Sequence, residues 1–364
     1  MARSRRESKE SLMNAHPTPS TQSRVPTPQE EVGAAAKSST TWSQNRRRID
    51  LRQFGLLGAV ILLIVVFAII APNFVTAFNG LNVLRQVSIV AVAAVGATMI
   101  ILIAGIDLSV GSVIALCGVV TALVLNAGPG GGVGWTILAL IVCLGVGALI
   151  GLINGVVIGV LHVPAFIATL AGLTAWRGTA LLLTNANPVP LPADSPFTWL
   201  GQGYIGPVPV PIVIMALTFF IGYLILSRMK IGRRIYAVGG NATAARLSGV
   251  RVTSVNIFVY VFAGTCVGLA SAMATARLNS GQPAGFVGLE LDVIAAVVVG
   301  GTSLMGGYGK LSGTFLGALL IAVLGNGLTL MDVPTYWQQI LTGLVILFAV
   351  LLDFVVRRKR KAKL

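Results

Sequence analysis

Few side chains in this 364-residue chain could carry chemistry, and they stand out because their surroundings are apolar. Asp107, in the stretch GIDLSVGS, lies between two apolar runs, and Arg177, Glu290 and Asp292 lie within or beside such runs. An ionisable group at membrane depth is costly, so it marks a solute path or an ion-coupling step unless it caps a helix or pairs with an opposite charge. Both readings stand for each of the four. Ser109, Asn154, Thr302, Ser303, Asn326, Gln338 and Gln339 add hydroxyls and amides that suit a polar solute, although membrane helices also use such groups to hold one another.

Catalytic sets are missing from the same inventory. The two histidines, His16 and His162, are far apart, and Cys117, Cys143 and Cys266 sit in apolar runs without any CxxC spacing. Neither a metal site nor a Ser-His-Asp triad has a basis here. The nearest approach to a phosphate-binding loop is Gly309-Lys310, but Leu311 follows it and Leu304 stands where the first glycine belongs. The chain therefore reads as a non-enzyme that cannot hydrolyse ATP by that route. A cation-coupled carrier usually buries paired carboxylates or a broken-helix ion site. Only Asp107 is a candidate within the membrane, so energy from an ATPase on another subunit fits better. A carrier coupled through Asp107 with Arg177 as its partner is the alternative, and a scaffold that recruits a partner without transport is a third.

The elements that must position these groups follow from composition. Apolar residues make up 55% of the chain and charged residues 10%, against roughly 25% charged in an ordinary soluble domain. A soluble globular enzyme is excluded. Ten apolar segments are expected, at about 54–71, 83–104, 110–126, 134–161, 163–184, 210–227, 252–276, 291–304, 311–331 and 336–355. The eighth is short for a hydrocarbon core of about 30 Å and ends among Gly300, Gly301, Gly306 and Gly307, which suggests a half-helix or re-entrant element.

The net charge of +15 comes from loops, not from a nucleic-acid-binding stripe with interleaved aromatics. Of 26 Lys and Arg residues, ten lie between Arg3 and Arg52, six between Arg228 and Arg251, and six between Arg357 and Lys363. Ten crossings put these groups and Lys310 on one side, and the positive-inside rule makes that side cytoplasmic, with both termini. Asp194, Glu290, Asp292 and Asp332 then belong to the opposite side or its approaches. Residues 1–52, rich in Ser, Thr, Pro and charge, read as a disordered tail, 53–356 as the membrane domain and 357–364 as a second basic tail. A secretory leader is the competing reading of the N-terminal region, but the 54–71 run is longer than a usual signal core and its leader is too long.

Gly147, Gly151, Gly155 and Gly159 recur every four residues and place one small face on the fourth helix, a packing device, and Gly264 with Gly268 and Gly313 with Gly317 repeat it. The outward segment 185–209, with six prolines, suits a rigid connector or a docking rim. The inward segment 228–251 carries six positive charges and local helix signals: Asn241 can cap a short helix over 242–248 that Gly249 ends. Leu247 offers an apolar contact there. Such a knob can transmit motion from a cytoplasmic partner, or it can serve as a solvated charge anchor.

Five stretches carry a family resemblance: AVGATMIILIAGIDLSVGS from Ala94; AFIATLAG from Ala165 with TAWRGTALLLTN from Thr174; IYAVGGNATAARLSGVRV from Ile235; the 39 residues ARLNSGQPAGFVGLELDVIAAVVVGGTSLMGGYGKLSGT from Ala276; and LGNGLTL to VILFAVLLD from Leu324 to Asp353. The chain resembles the permease subunits of bacterial ATP-binding-cassette monosaccharide importers, the ribose-type members of the branched-chain amino acid/ribose permease family. The resemblance implies an all-α polytopic membrane protein of about ten transmembrane segments with a type II importer-like fold, in the bacterial plasma membrane. It implies a homodimer, an extracytoplasmic sugar-binding protein, and a cytoplasmic ATPase that holds ATP and Mg, none being held by this chain. Arg233, Gly240, Asn241, Ala245, Arg246 and Gly249 match the family's ATPase-coupling segment, and ribose is the first substrate candidate, with xylose and galactose as alternatives. The long polar N-terminal tail departs from the family pattern.

Overall fold

The computed structural model describes residues 51–128, 132–345, 347 and 351. The expected tails, apart from 51 and 52, lie outside those residues.

Helices dominate: α1 Leu51–Ile70, α2 Ala77–Leu102, α3 Val110–Ala127, α4 Val133–Gly159, α5 Ala165–Thr184, the one-turn α6 Trp199–Gln202, and α7 Val210–Ser227. Then come α8 Lys230–Gly240, α9 Ala242–Leu247, α10 Val252–Leu278, α11 Leu289–Val299 and α12 Leu311–Leu330. A last helix, α13, opens at residue 335 and is described to 345. Seven of these, α2 to α5, α7, α10 and α12, are long and apolar enough to cross a membrane. α1, α11 and α13 supply the remaining expected segments.

Most boundaries fall within a few residues of expectation. α2 starts six residues early because Thr76 caps it: its hydroxyl accepts the Asn79 N–H at 3.2 Å. The eighth segment is the main difference. Its helix ends at Val299, not 304, and at 11 residues it reaches about 16 Å, half a hydrocarbon core. Residues 300–310 then turn without helix, with Gly301, Gly306 and Gly307 at positive φ, where a Cβ would be strained.

α2, α3, α10 and α11 form the buried centre. α2 is closed by Val87, Ala91 to Val95 and Met99 to Leu102, all essentially sealed. By contrast α4 and α5 turn Ile137, Ile141, Phe166 and Ile167 outward, as helices bordering lipid do. The glycine face of α4 does what its spacing predicts. A Cβ on Gly155 would come within 2.9 Å of the Ile257 Cα, and one on Gly147 or Gly151 would strike the carbonyls of Gly264 or Tyr260. Gly264 and Gly268 return the close approach from α10. Gly313 and Gly317 do the same between α12 and the end of α11, against Gly300 and Ala296.

The proline-rich segment 185–209 contains two-residue strands β1 (Val189–Pro190), β2 (Tyr204–Ile205) and β3 (Val208–Pro209). β2 and β3 make a small hairpin, and β1 pairs antiparallel with β4 (Ser280–Gly281) after α10. Arg85 of α2 lies 4.8 Å from the centre of the Tyr204 ring, which ties the hairpin to α2, and the Arg277 guanidinium donates to Asn82 at 3.0 Å, which ties the end of α10 to the same helix.

Candidate functional site

Two of the crossings are broken, and they run in opposite senses. After α2 the chain leaves Leu102 as a non-helical leg, 103–109, before α3 begins. After β4 a second non-helical leg, 282–288, descends beside α3 before α11 begins. Gly281 packs on Gly118 and Val119, whereas Phe286 and Glu290 reach Gly111, so the descent is read directly from the contacts. The starts of α3 and α11 meet there. A Cβ on Gly111 would collide with the Phe286 carbonyl oxygen and the Glu290 carboxylate.

The candidate groups cluster around this meeting point but play different parts. Asp107 accepts from the Ser109 N–H at 2.8 Å and from its hydroxyl at 2.6 Å, a local turn that closes the start of α3. Asn154 lies 3.5 Å from that hydroxyl, a long contact. Arg177 donates to the carbonyls of Pro283, at 2.8 Å, and Gly285, at 2.5 Å, and so tethers the second leg. Asp107 and Arg177 are therefore occupied separately. Glu290 accepts the Gly288 N–H at 3.2 Å, in the first turn of α11, where the helix dipole favours a carboxylate. Asn326 forms a reciprocal amide pair with Asn79, 2.9 Å in each direction, which locks α12 to α2. Ser303 accepts the Met305 N–H at 3.1 Å, and Thr302 is buried against Gly309, so both shape the 300–310 turn.

Asp292 stands apart. It lies on the wall of a cleft of about 540 Å³ between α2, α11, α12 and α13, lined also by Gln86, Glu290, Thr335, Gln338, Gln339 and Thr342. The Gln338 amide nitrogen donates to the Thr329 hydroxyl and to the Val333 carbonyl. Gln86, Thr335 and Thr342 were not apparent from sequence, because two helices far apart in the chain, α2 and α13, bring them to one cleft. Their spacing on any single helix carries no signal.

The segment between α7 and α10 is built as expected. Asn241 accepts the Ala244 N–H at 2.9 Å and caps α9, which ends at Leu247, and Gly249 follows at φ +82°. Leu247 is 85% exposed at the tip, while Ala245 is buried against the bundle. Arg233 and Arg246 are exposed, and a Cβ on Gly240 would meet nothing within 4 Å, although Gly307 packs on its backbone. Its neighbour Gly239, which the sequence did not single out, is the structural key. A Cβ there would strike the Leu102 carbonyl and approach the Gly307 nitrogen to 2.6 Å. Gly307 itself donates to the Leu102 carbonyl at 2.9 Å, and the Tyr236 hydroxyl donates to the Gly309 carbonyl at 2.9 Å. α8 thus touches the foot of the first broken crossing and the turn that ends the second. Burial pushes the Tyr236 phenol above its ordinary range, against an opposing pull from Lys310, so it remains a donor at neutral pH.

The sequence that builds this bundle matches known proteins. The family model described as branched-chain amino acid transport system / permease component matches residues 79–350. The chain belongs to that family. This permease is 46% identical over 299 residues to the ribose import permease of Haemophilus influenzae, covering 81% of this chain and 91% of that one. It is 42% identical to the ribose import permease of Bacillus subtilis, over 88% and 97% of the two chains. A xylose transport system permease of Escherichia coli is 34% identical over 90% of this chain and 98% of its own. No solved structure matches. The permease is a multi-pass all-α membrane protein and a transport subunit, not an enzyme.

Proposed function

We propose that this chain is the membrane permease of an ATP-binding-cassette importer and that it moves a monosaccharide, ribose first, into the cytoplasm by alternating access. The observation that carries the coupling is the contact of Gly239 with both Leu102 and Gly307. A displacement of α8 and α9 reaches both broken crossings through backbone contact, without a flexible side chain between them. The similarity to ribose permeases over most of the chain supports the substrate.

In this reading the α8–α9 face and both termini are cytoplasmic, which the basic residues of 228–251 and of the two ends support under the positive-inside rule. A separate ATPase subunit, holding ATP and Mg, seats the α9 knob through Arg246 and Leu247, with Arg233, Gly240, Asn241, Ala245 and Gly249 shaping its surroundings. The hairpin face, with segment 185–209, receives an extracytoplasmic sugar-binding protein, and two copies of the permease form the pore unit within the lipid. ATP binding to the partner shifts the permease only if the partner binds ATP differently in the two conformations. The occupied hydrogen bonds of Asp107 and Arg177 give a cation-coupled pair no support.

Uptake of labelled ribose in cells lacking and then regaining this chain tests the reading. Uptake should need the chain, stop on ATP depletion and survive an ionophore. Loss with the ionophore while ATP persists would sink it in favour of a cation-coupled carrier. Arg246→Glu should weaken ATPase association and uptake with membrane insertion intact; unchanged uptake would return the α9 segment to a charge anchor.

A further inference from the structure

We infer that the cleft between α2, α11, α12 and α13 is a binding station for a neutral polyol, one that rejects anions and amino acids. This rests on the sugar-permease reading and gives the sugar a place within the chain. At about 540 Å³ the cleft falls within the range of roughly 300–1,000 Å³ that small-molecule sites occupy. It runs from Thr335 and Leu328, near the hairpin face, down to Ala318 and Ile321, midway along α12. Its lower wall is the first turn of α11, where the two broken crossings meet.

The chemistry of the wall selects the ligand. Asp292 and Glu290 supply carboxylate oxygens, which accept hydrogen bonds from hydroxyls. Gln86 and Gln339 can donate and accept, and Thr342 can do either. The side chains of Asp292, Gln86, Gln339 and Thr342 line the cleft and make no hydrogen bond to another described residue, so their capacity is open to a solute that enters. Neutral hydroxyls, each both donor and acceptor, match that mixed set. A phosphate or a carboxylate does not: no Lys, Arg or His lines the cleft among the described residues, and two carboxylates repel it. The α11 N-terminus cannot serve as the anion site, because Glu290 already holds the Gly288 N–H. An amino acid would therefore leave its carboxylate unpaired in a site that already carries two. The described lining also lacks an aromatic ring on which a sugar face could stack. Binding by hydrogen bonds alone is weak, which suits a station that must release its solute.

The test uses the full-length Gln339→Cys chain in membranes with its partner subunits. Cys117, Cys143 and Cys266 are buried and free, so a hydrophilic maleimide reports on position 339. Ribose at high millimolar concentration should slow labelling several-fold, while leucine and ribose 5-phosphate at the same concentration leave the rate unchanged. Asp292→Asn should raise the ribose KM for uptake several-fold more than it lowers the maximal rate. Protection by leucine or by ribose 5-phosphate would overturn the polyol assignment. Absence of protection by ribose, xylose and galactose, in membranes whose wild-type chain still takes up ribose, would remove the station while leaving the transport reading intact. Wild-type membranes that take up none of the three sugars would instead overturn the reading on which the station rests.

Discussion

The two broken crossings use one device in opposite directions, and their differences show which of them is fixed. The first pairs the leg 103–109 with an 18-residue helix, α3, whose face is almost wholly buried. Its acid, Asp107, is satisfied within two residues by Ser109, and Thr169 on α5 donates to the Ile106 carbonyl at 3.2 Å. The second pairs the leg 282–288 with an 11-residue helix, α11, ending in a turn with three glycines at positive φ. Its leg is held from outside by Arg177, and its second acid, Asp292, faces an open cleft. Local hydrogen bonds that follow the chain make a part rigid by itself. Both legs are also tethered from α5, by Thr169 and by Arg177, so the contrast rests on the long buried helix and the Asp107 turn of the first against the short helix, glycine turn and open cleft of the second. The α11 crossing is thus the less braced of the two, and we expect it to be the one that shifts, with α3 as the surface it moves against.

The largest way to break this contrast is at the contact the two crossings share. Gly111→Val should destroy transport, because the Phe286 carbonyl is backbone and cannot retreat as a side chain can. Overpacking of this kind costs about 1–3 kcal/mol, and a branched side chain against backbone belongs at or above the upper end. Uptake should fall to background and the melting temperature should drop, whereas Gly145→Ala, which meets nothing within 4 Å, should leave both near wild type. Wild-type uptake in Gly111→Val would show that the two starts do not need to approach.

Next in size is the tether. Arg177→Ala strips two charge-assisted bonds from the Pro283 and Gly285 carbonyls, worth about 1.5–3 kcal/mol each when buried and less where water reaches them. The second leg should become accessible to hydrogen exchange at 284–288 while 103–109 stays protected. Arg177→Lys, with a single ammonium in place of the planar fork, should recover part of the protection. Equal loosening of both legs would erase the distinction between them.

How much of this was open to the sequence depends on where each signal resides. The crossings were legible because apolar runs and glycine spacing are local, and the α9 knob was legible because Asn241 and Gly249 are punctuation marks for a short helix. Arg177 and Asp292 stood out by charge alone, but their roles did not, since Pro283 and Gln339 come from distant parts of the chain. Gly239 was hidden among 43 glycines. Its role depends on the Leu102 and Gly307 backbones, more than 60 residues away on either side. Asn326 illustrates the converse: a polar group in an apolar helix is the same letter whether it faces a solute or, as here, Asn79.

A smaller effect separates structural charge from transported charge. Asp107→Asn keeps the oxygen that accepts from Ser109, so it should cost less than about 1 kcal/mol and retain most uptake. Asp107→Leu leaves the Ser109 N–H and hydroxyl without their acceptor, at about 1–3 kcal/mol for each buried donor, and should lower stability well below the Asn variant. Loss of uptake in Asp107→Asn with unchanged stability would reverse the assignment and make the charge itself necessary.

The smallest expected effect sharpens the contrast at the other end of the α11 crossing. Tyr236→Phe removes one hydrogen bond to the Gly309 carbonyl, a net contribution of about 0.5–1.5 kcal/mol. The ring still packs, and Gly239 still presses on Leu102 and Gly307, so the glycine contact should carry most of the coupling. ATPase activity of the assembled transporter should persist while sugar uptake per ATP falls by about twofold, because the turn at 300–310 follows α8 less faithfully. Since Tyr236 meets the second crossing and Gly239 meets both, the phenol should affect hydrogen exchange at 300–310 and spare 103–109. A variant that loosens 103–109 to the same degree would mean that α8 grips the two crossings as one body, and the asymmetry between a fixed α3 and a shifting α11 would then have to arise from their upper legs alone.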